Sequence, residues 1–181
     1  SSPSRGLGDV YKRQASNIGD SQTRNRGTIG GAIASKTRSS DWNAALLALD
    51  AMIHTTKTSH MAEDYFATGG LTEGELITRI CFEIPSQGIY LKHTRASSTD
   101  AVVGVLVSRF EKRYRVAIVG AQRVAFLCPA LEAALGTRFH PAVYDHSHIP
   151  ENMLRETPDA SLEYQLNLVE ILCKRAINGC A

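Results

Sequence analysis

The chain has 181 residues, 43% of them hydrophobic, enough for one domain or two small ones with a packed core. Its formal net charge is +2, and setting aside Arg5, Lys12, Arg13 and Asp9 leaves basic and acidic residues equal in number. Bulk charge therefore argues against nucleic acid or an anionic membrane as partner, and no apolar run is long enough to span a bilayer.

Residues 1–14 stand apart from the rest. Asp9-Val10-Tyr11-Lys12-Arg13-Gln14 is the translation of GATGTGTATAAGAGACAG, which resembles the transposon-end adapter of sequencing libraries. The segment is read as an adapter-derived, disordered leader and set aside from fold reasoning. The alternative is a genuine basic arm. On the adapter reading the natural protein continues upstream of Ala15.

Ala15 to Gly31 is polar and punctuated by glycine, and reads as a loop. Asp41 to Leu49 is rich in Ala and Leu and reads as a helix that Ser40 or Asp41 can cap. Ala51 to Thr56 is expected to be a short strand. Met61 to Phe66 is expected to be a helical turn, with Tyr65 and Phe66 inward. Leu76 to Ile84 alternates as a strand, Leu76, Thr78, Ile80 and Phe82 on one side and Ile77, Arg79, Cys81 and Glu83 on the other. Pro85-Ser86-Gln87-Gly88 marks a boundary.

Beyond it, Ile89 to Arg95 reads as a strand. Ala101 to Phe110 and Tyr114 to Val119 read as a hairpin closed around Glu111-Lys112-Arg113. Cys128 to Leu135 is expected to be a helix, with Pro129 in its first turn and Gly136 just past its end. Thr157-Pro158 is expected to open the longest helix, where Leu162, Leu166, Val169, Leu172 and Ala176 recur at helical spacing and Gly179 terminates it. Strands first and helices after predict an α+β fold, helices on one face of a small antiparallel sheet.

Cys81, Cys128, Cys173 and Cys180 are widely spaced, with no Cys-x-x-Cys. This disfavours a disulfide framework, zinc or an iron–sulfur cluster, and small buried thiols are the expected state. Reduced thiols fit a cytoplasmic setting. His140, His146 and His148 lie in a Pro-flanked loop without an acidic or Cys partner at ligand spacing, so a solvated loop is expected there rather than a metal site.

The chemistry concentrates in Thr28-Ile29-Gly30-Gly31, with Asp41 ten residues after Gly31. Adjacent glycines let a backbone turn sharply and let its N–H groups approach a phosphate. An acidic residue nearby accepts hydrogen bonds from polyol hydroxyls. Together they suit a dinucleotide. Taken singly, each has a plainer role: Gly30-Gly31 as a turn, Asp41 as a helix cap, Ile77 as core, Lys92 as a solvent-facing strand residue.

Ile18 to Gly31 resembles the second flavin-binding loop of the molybdenum hydroxylase flavoproteins, the family of carbon monoxide dehydrogenase medium subunits and xanthine dehydrogenase flavin domains. The likeness continues through Ser39-Ser40-Asp41 to Leu49-Asp50-Ala51. It resumes at Gly74-Glu75-Leu76-Ile77-Thr78-Arg79-Ile80, at Tyr90-Leu91-Lys92-His93-Thr94-Arg95 and in the closing Leu172 to Ala176 helix. The ordered series, rather than any one motif, carries the resemblance from Ala15 to Ala181.

The resemblance implies that residues 15–85 form the second subdomain of a two-subdomain FAD-binding domain and 86–181 a carbon monoxide dehydrogenase flavoprotein C-terminal-like domain. The first subdomain would lie upstream. FAD is the implied cofactor. Thr28, Ile29, Gly30 and Gly31 would approach its pyrophosphate and ribityl, Asp41 would accept from its hydroxyls, and Ile77 would pack near the isoalloxazine. Ile18 matches an apolar cofactor contact. Lys92 would sit near the flavin ring and stabilise its reduced, anionic form, with Arg95 as a possible assistant. The family usually has Asn where this chain has Ala32, so weaker or rearranged flavin binding is expected there. No catalytic residue and no metal ligand is implied within the chain.

The implied role is an electron-transfer subunit of an oxidoreductase, taking electrons from [2Fe–2S] clusters through FAD to NAD, a quinone or dioxygen. Molybdopterin would belong to a large partner subunit and the clusters to a small one, and the fragment alone is expected to be inactive. The alternative is a non-catalytic assembly module whose flavin loop has degenerated at Ala32. A covalent oxidase of the vanillyl-alcohol type is disfavoured by the hairpin-then-helices tail and the lack of a flavin-linking His in a matching context.

Overall fold

The computed structural model describes residues 27–35, 40–94, 101–120, 124–156 and 160–180. Ile18, Arg95, Thr157 and Pro158, each given a role above, lie outside the described residues. The elements in order are α1 (Ile29–Ala34), α2 (Asp41–Ala48), β1 (Met52–Thr55), β2 (Ser59–Met61), α3 (Ala62–Ala67), β3 (Ile77–Cys81), β4 (Gln87–Thr94), β5 (Ala101–Arg109), β6 (Tyr114–Val119), β7 (Phe126–Leu127), α4 (Pro129–Thr137) and α5 (Leu162–Gly179). The strands form two antiparallel sheets, ordered β2-β1-β3 and β4-β5-β6-β7. The mixture of helix and antiparallel sheet is the expected α+β class.

β5 organises the larger sheet. Its run Val103 to Ser108 is buried at every position, as a strand covered on both faces must be. Val103, Val105 and Val107 share a core with Leu131 and Leu135 of α4 and with Val169, Leu172, Ala176 and Ile177 of α5. Leu106, on the opposite pleat, shares a second core with Ala117, Val119 and residues Ala44 to Ala48 of α2. The two C-terminal helices thus cover one face, as the pattern predicts. The other face is covered by α2, which comes from before the Pro85 boundary. This explains why α2 is apolar almost all round: it lies between the large sheet and the helices α1 and α3.

Several expectations need correction. Thr28-Ile29-Gly30-Gly31 is not all loop: Thr28 caps α1, and both glycines lie inside that helix. Strict alternation fails in β3, where a register shift opposite His54 and Thr55 leaves Thr78 as an extra residue. Such a bulge turns both Ile77 and Ile80 toward the core, while Leu76 is 67% exposed. Gly136 sits within α4, not past its end. α5 starts at Leu162, where the Ser161 hydroxyl accepts the Tyr164 N–H at 3.2 Å. Three cysteines are buried as expected, whereas Cys81 is exposed; all four are free thiols.

The Pro-flanked loop of His140, His146 and His148, expected to be solvated, contains two short 3-10 turns, and a third follows at Glu151–Met153. His148 completes a capping box with Asp145, and His146 pairs with Glu170 at 2.7 Å. Among the described residues no group of three His, Cys, Asp or Glu is placed to hold a metal. None of the described helices is long and apolar enough to cross a membrane.

Candidate functional site

The site begins at the first turn of α1. The Thr28 hydroxyl accepts the Gly31 N–H at 3.0 Å, and the Ala32 N–H donates to the Thr28 carbonyl at 3.0 Å. The N–H groups of Ile29 and Gly30 precede any helical carbonyl that could reach them, so this turn offers donors outward. Neither Gly30 nor Gly31 has a left-handed backbone, so neither is required there for its φ. A Cβ on Gly30 would meet nothing within 4 Å, while one on Gly31 would stand 3.0 Å from Thr28 Oγ1. Ala32 lies one position further along the helix, half-buried.

α1 packs against α2 and β3, which brings the turn beside the helix that starts with Asp41 and the strand that carries Ile77. Ile29 and Ile77 both lie at the edge of the α2 core. Ser40 stands at the N-cap of α2 but its side chain makes no cap bond. Asp41, the first helical residue, is 5% exposed and turns to the large sheet. Its Oδ2 accepts from Lys92 Nζ at 2.8 Å and its Oδ1 from the Tyr90 hydroxyl at 2.5 Å. The Lys92 side chain is 12% exposed, so this ion pair is largely withdrawn from water. Lys92 is therefore a buried partner, not the solvent-facing lysine that a strand position alone suggests.

Of the residues named from sequence, the structure pairs Asp41 with Lys92 and sets Ile29 and Ile77 at one core, while the Thr28–Ala32 turn lies on a helix that packs on α2 and β3. Tyr90 is the member to which sequence reasoning gave no role. Its signal was present, since it stands two positions before Lys92 on one strand and so shares its face.

A second polar cluster braces the loop before Ile77. Glu75 accepts from the Thr55 hydroxyl and, at 2.9 and 2.7 Å, from the Thr72 N–H and hydroxyl. The Thr55 and Thr72 hydrogen bonds hold its carboxyl down at about 2. Lys57 ties the same loop from outside, donating to Thr72 Oγ1 and the Glu73 carbonyl.

Comparison with known proteins bears on this arrangement. Residues 4–87 match the model of the FAD binding domain in molybdopterin dehydrogenase. The match covers just under half of the chain, and this segment is similar to that family's FAD-binding domain. The match takes in the Thr28–Gly31 turn, Asp41, Glu75 and Ile77 and stops before Lys92. Over 102 residues the chain is 36% identical to the glyceraldehyde dehydrogenase medium chain of Sulfolobus acidocaldarius, an alignment that spans half of this chain and 36% of that protein. In fold, the chain is similar to the carbon monoxide dehydrogenase of Hydrogenophaga pseudoflava, with TM-score 0.79 and 23% identity over 99% of this chain and 69% of that one. It is also similar to quinoline 2-oxidoreductase of Pseudomonas putida, with TM-score 0.78 and 18% identity over 96% of this chain and 67% of that one. At these identities the two solved structures speak for the fold alone. The matched family model is that of an FAD-binding domain.

Proposed function

We propose that this chain is part of an FAD-binding, electron-transfer subunit of a molybdenum hydroxylase. On this reading residues 15–85 are one subdomain of the flavin domain and 86–181 the C-terminal domain behind it. The observation that carries the reading is the Asp41–Lys92 ion pair, set on the helix against which the Thr28–Gly31 turn packs.

The donor set suits FAD chemically. The first-turn N–H groups of Ile29 and Gly30 suit a phosphate, and the space outside Gly30 leaves room for one. Asp41 has lone pairs for hydroxyls beyond those that face Tyr90 and Lys92. Lys92 supplies positive charge, and Ile29 and Ile77 supply apolar surface. Ala32 removes an amide side chain from this region but leaves its backbone in place, so retention of flavin is the expected result. When bound, FAD supplies a redox centre able to exchange electrons singly or in pairs. The residues of this chain bind it, orient it and hold a cation beside it.

The partners in this reading are a molybdopterin-binding large subunit and a [2Fe–2S] small subunit, with NAD, a quinone or dioxygen as acceptor, in the cytoplasm. The designation of the Sulfolobus protein as a medium chain favours such an assembly.

The test is the visible spectrum of the full-length protein, with the upstream coding region restored and residues 1–14 removed. A flavin spectrum, released FAD and bleaching by reduced partner subunits are expected. A colourless, folded protein that still binds its partners would instead establish the assembly module.

A further inference from the structure

We propose that Tyr90 is a positioning residue of the flavin site, fixing the Asp41 carboxylate and, through it, the Lys92 ammonium. The inference rests on the FAD reading above and adds a residue to it. Tyr90 and Lys92 project from the face of β4 that α2 covers, and each engages one oxygen of Asp41. A carboxylate held at one oxygen can turn about its soft terminal torsion. Held at both, it presents a fixed edge to Lys92 and fixes the lysine in turn.

Tyr90 is itself buried, 7% exposed. Burial, and then the Asp41 charge, raise its pKa, so the phenol keeps its proton and remains a donor. Room for its ring comes from Gly104, which pairs with Lys92 across the β4–β5 ladder. A Cβ on Gly104 would stand 2.7 Å from Tyr90 Oη and 2.8 Å from Val119 Cγ1. The backbone at Gly104 is not left-handed, so glycine is needed there for space. Helix α2, strand β4 and strand β5 each contribute one part of the device, and no local preference of any one segment produces it.

The test uses the full-length protein in its complex, as wild type, Tyr90→Phe, Lys92→Met, the double variant and Gly104→Ala. FAD affinity is measured by fluorescence titration and the potential of the bound flavin by spectroelectrochemistry. Loss of one hydrogen bond to a charged group predicts that Tyr90→Phe weakens FAD binding about tenfold to a hundredfold. It should move the flavin potential in the same direction as Lys92→Met and add little on top of that variant. Gly104→Ala, which displaces the ring while keeping the phenol, should reproduce Tyr90→Phe, and it carries the comparison where Tyr90→Phe fails to fold. Wild-type affinity and potential in Tyr90→Phe, or an effect that adds in full to Lys92→Met, would overturn the positioning role and leave the FAD reading standing. A wild-type complex without flavin would overturn both.

Discussion

Asp50 offers a test of how the chain is held together away from the flavin residues. It follows α2 with φ 46°, the one non-glycine residue among those described with positive φ. Its Oδ1 accepts from Arg115 Nε at 2.8 Å, and its Oδ2 from Arg113 Nε and Nη2 at 3.0 and 2.6 Å. Arg113 continues to Glu83 and Arg115 to Glu132, so the network joins the end of α2, the segment after β3, the β5–β6 hairpin and α4. Arg113 is 42% exposed, and its bonds are worth below about 1 kcal/mol. Arg115 is better shielded, and its bond to Asp50 is worth about 1.5–3 kcal/mol. Asp50→Gly should therefore cost about 2–3 kcal/mol, or roughly 4–12 °C in Tm for a chain of this size. Asp50→Ala should cost about 1 kcal/mol more, from the left-handed backbone less the glycine's greater freedom when unfolded. Asp50→Asn tolerates the backbone and so isolates the charge. Thermal unfolding of the three variants, at low and high salt, makes the measurement. Equal melting of the Ala and Gly variants would refute the backbone argument, and an Asn variant that melts with the wild type would refute the electrostatic one.

Gly31→Arg should leave the full-length protein folded but without flavin after purification, because its Cβ would crowd Thr28 Oγ1 and its chain would cover the first turn of α1; a yellow, flavin-replete variant would remove that turn from the site. Glu75 contributes stability that is full above its ordinary value of 4.5 and is lost as pH falls toward about 2. Urea midpoints of the wild type should accordingly fall more steeply across that window than those of Glu75→Gln, and parallel curves would contradict the assignment. Leu131→Ala, at a fully buried position of α4 in the core it shares with β5 and α5, should lower unfolding free energy by about 2–5 kcal/mol with an unchanged urea m-value.

The helix α2 was legible in the sequence from its Ala and Leu content, and the hairpin β5–β6 and the closing helix from their periodicity. The hairpin turn Glu111-Lys112-Arg113 was found for the same reason. Other features depend on contacts between distant segments. The bulge at Thr78 arises from pairing with His54 and Thr55, which no pattern within 76–84 reveals. α1 was missed because glycine pairs signal turns, yet the Thr28 cap and packing on α2 outweigh their low helix propensity. The start of α5 was misplaced because Ser161 caps it, while Thr157-Pro158 offered a stronger local signature. At the site, the residue types were visible one by one, but burial of Lys92 against Asp41 was not, since a strand lysine alone reads as solvated. Tyr90 gained meaning only once α2 was seen to lie on its face of the sheet.

That placement of α2 has a consequence for how the chain comes apart. β5 is the wall between two cores, one fed by the segment before Pro85 and the other by the segment after it. A cut at the sequence boundary would strip the cover from one side of β5 and leave the apolar flank of α2 facing water. The two halves should therefore protect their amide hydrogens as one cooperative unit, with the slowest exchange along β5 itself. The boundary expected at Pro85 should therefore not divide the folding reaction.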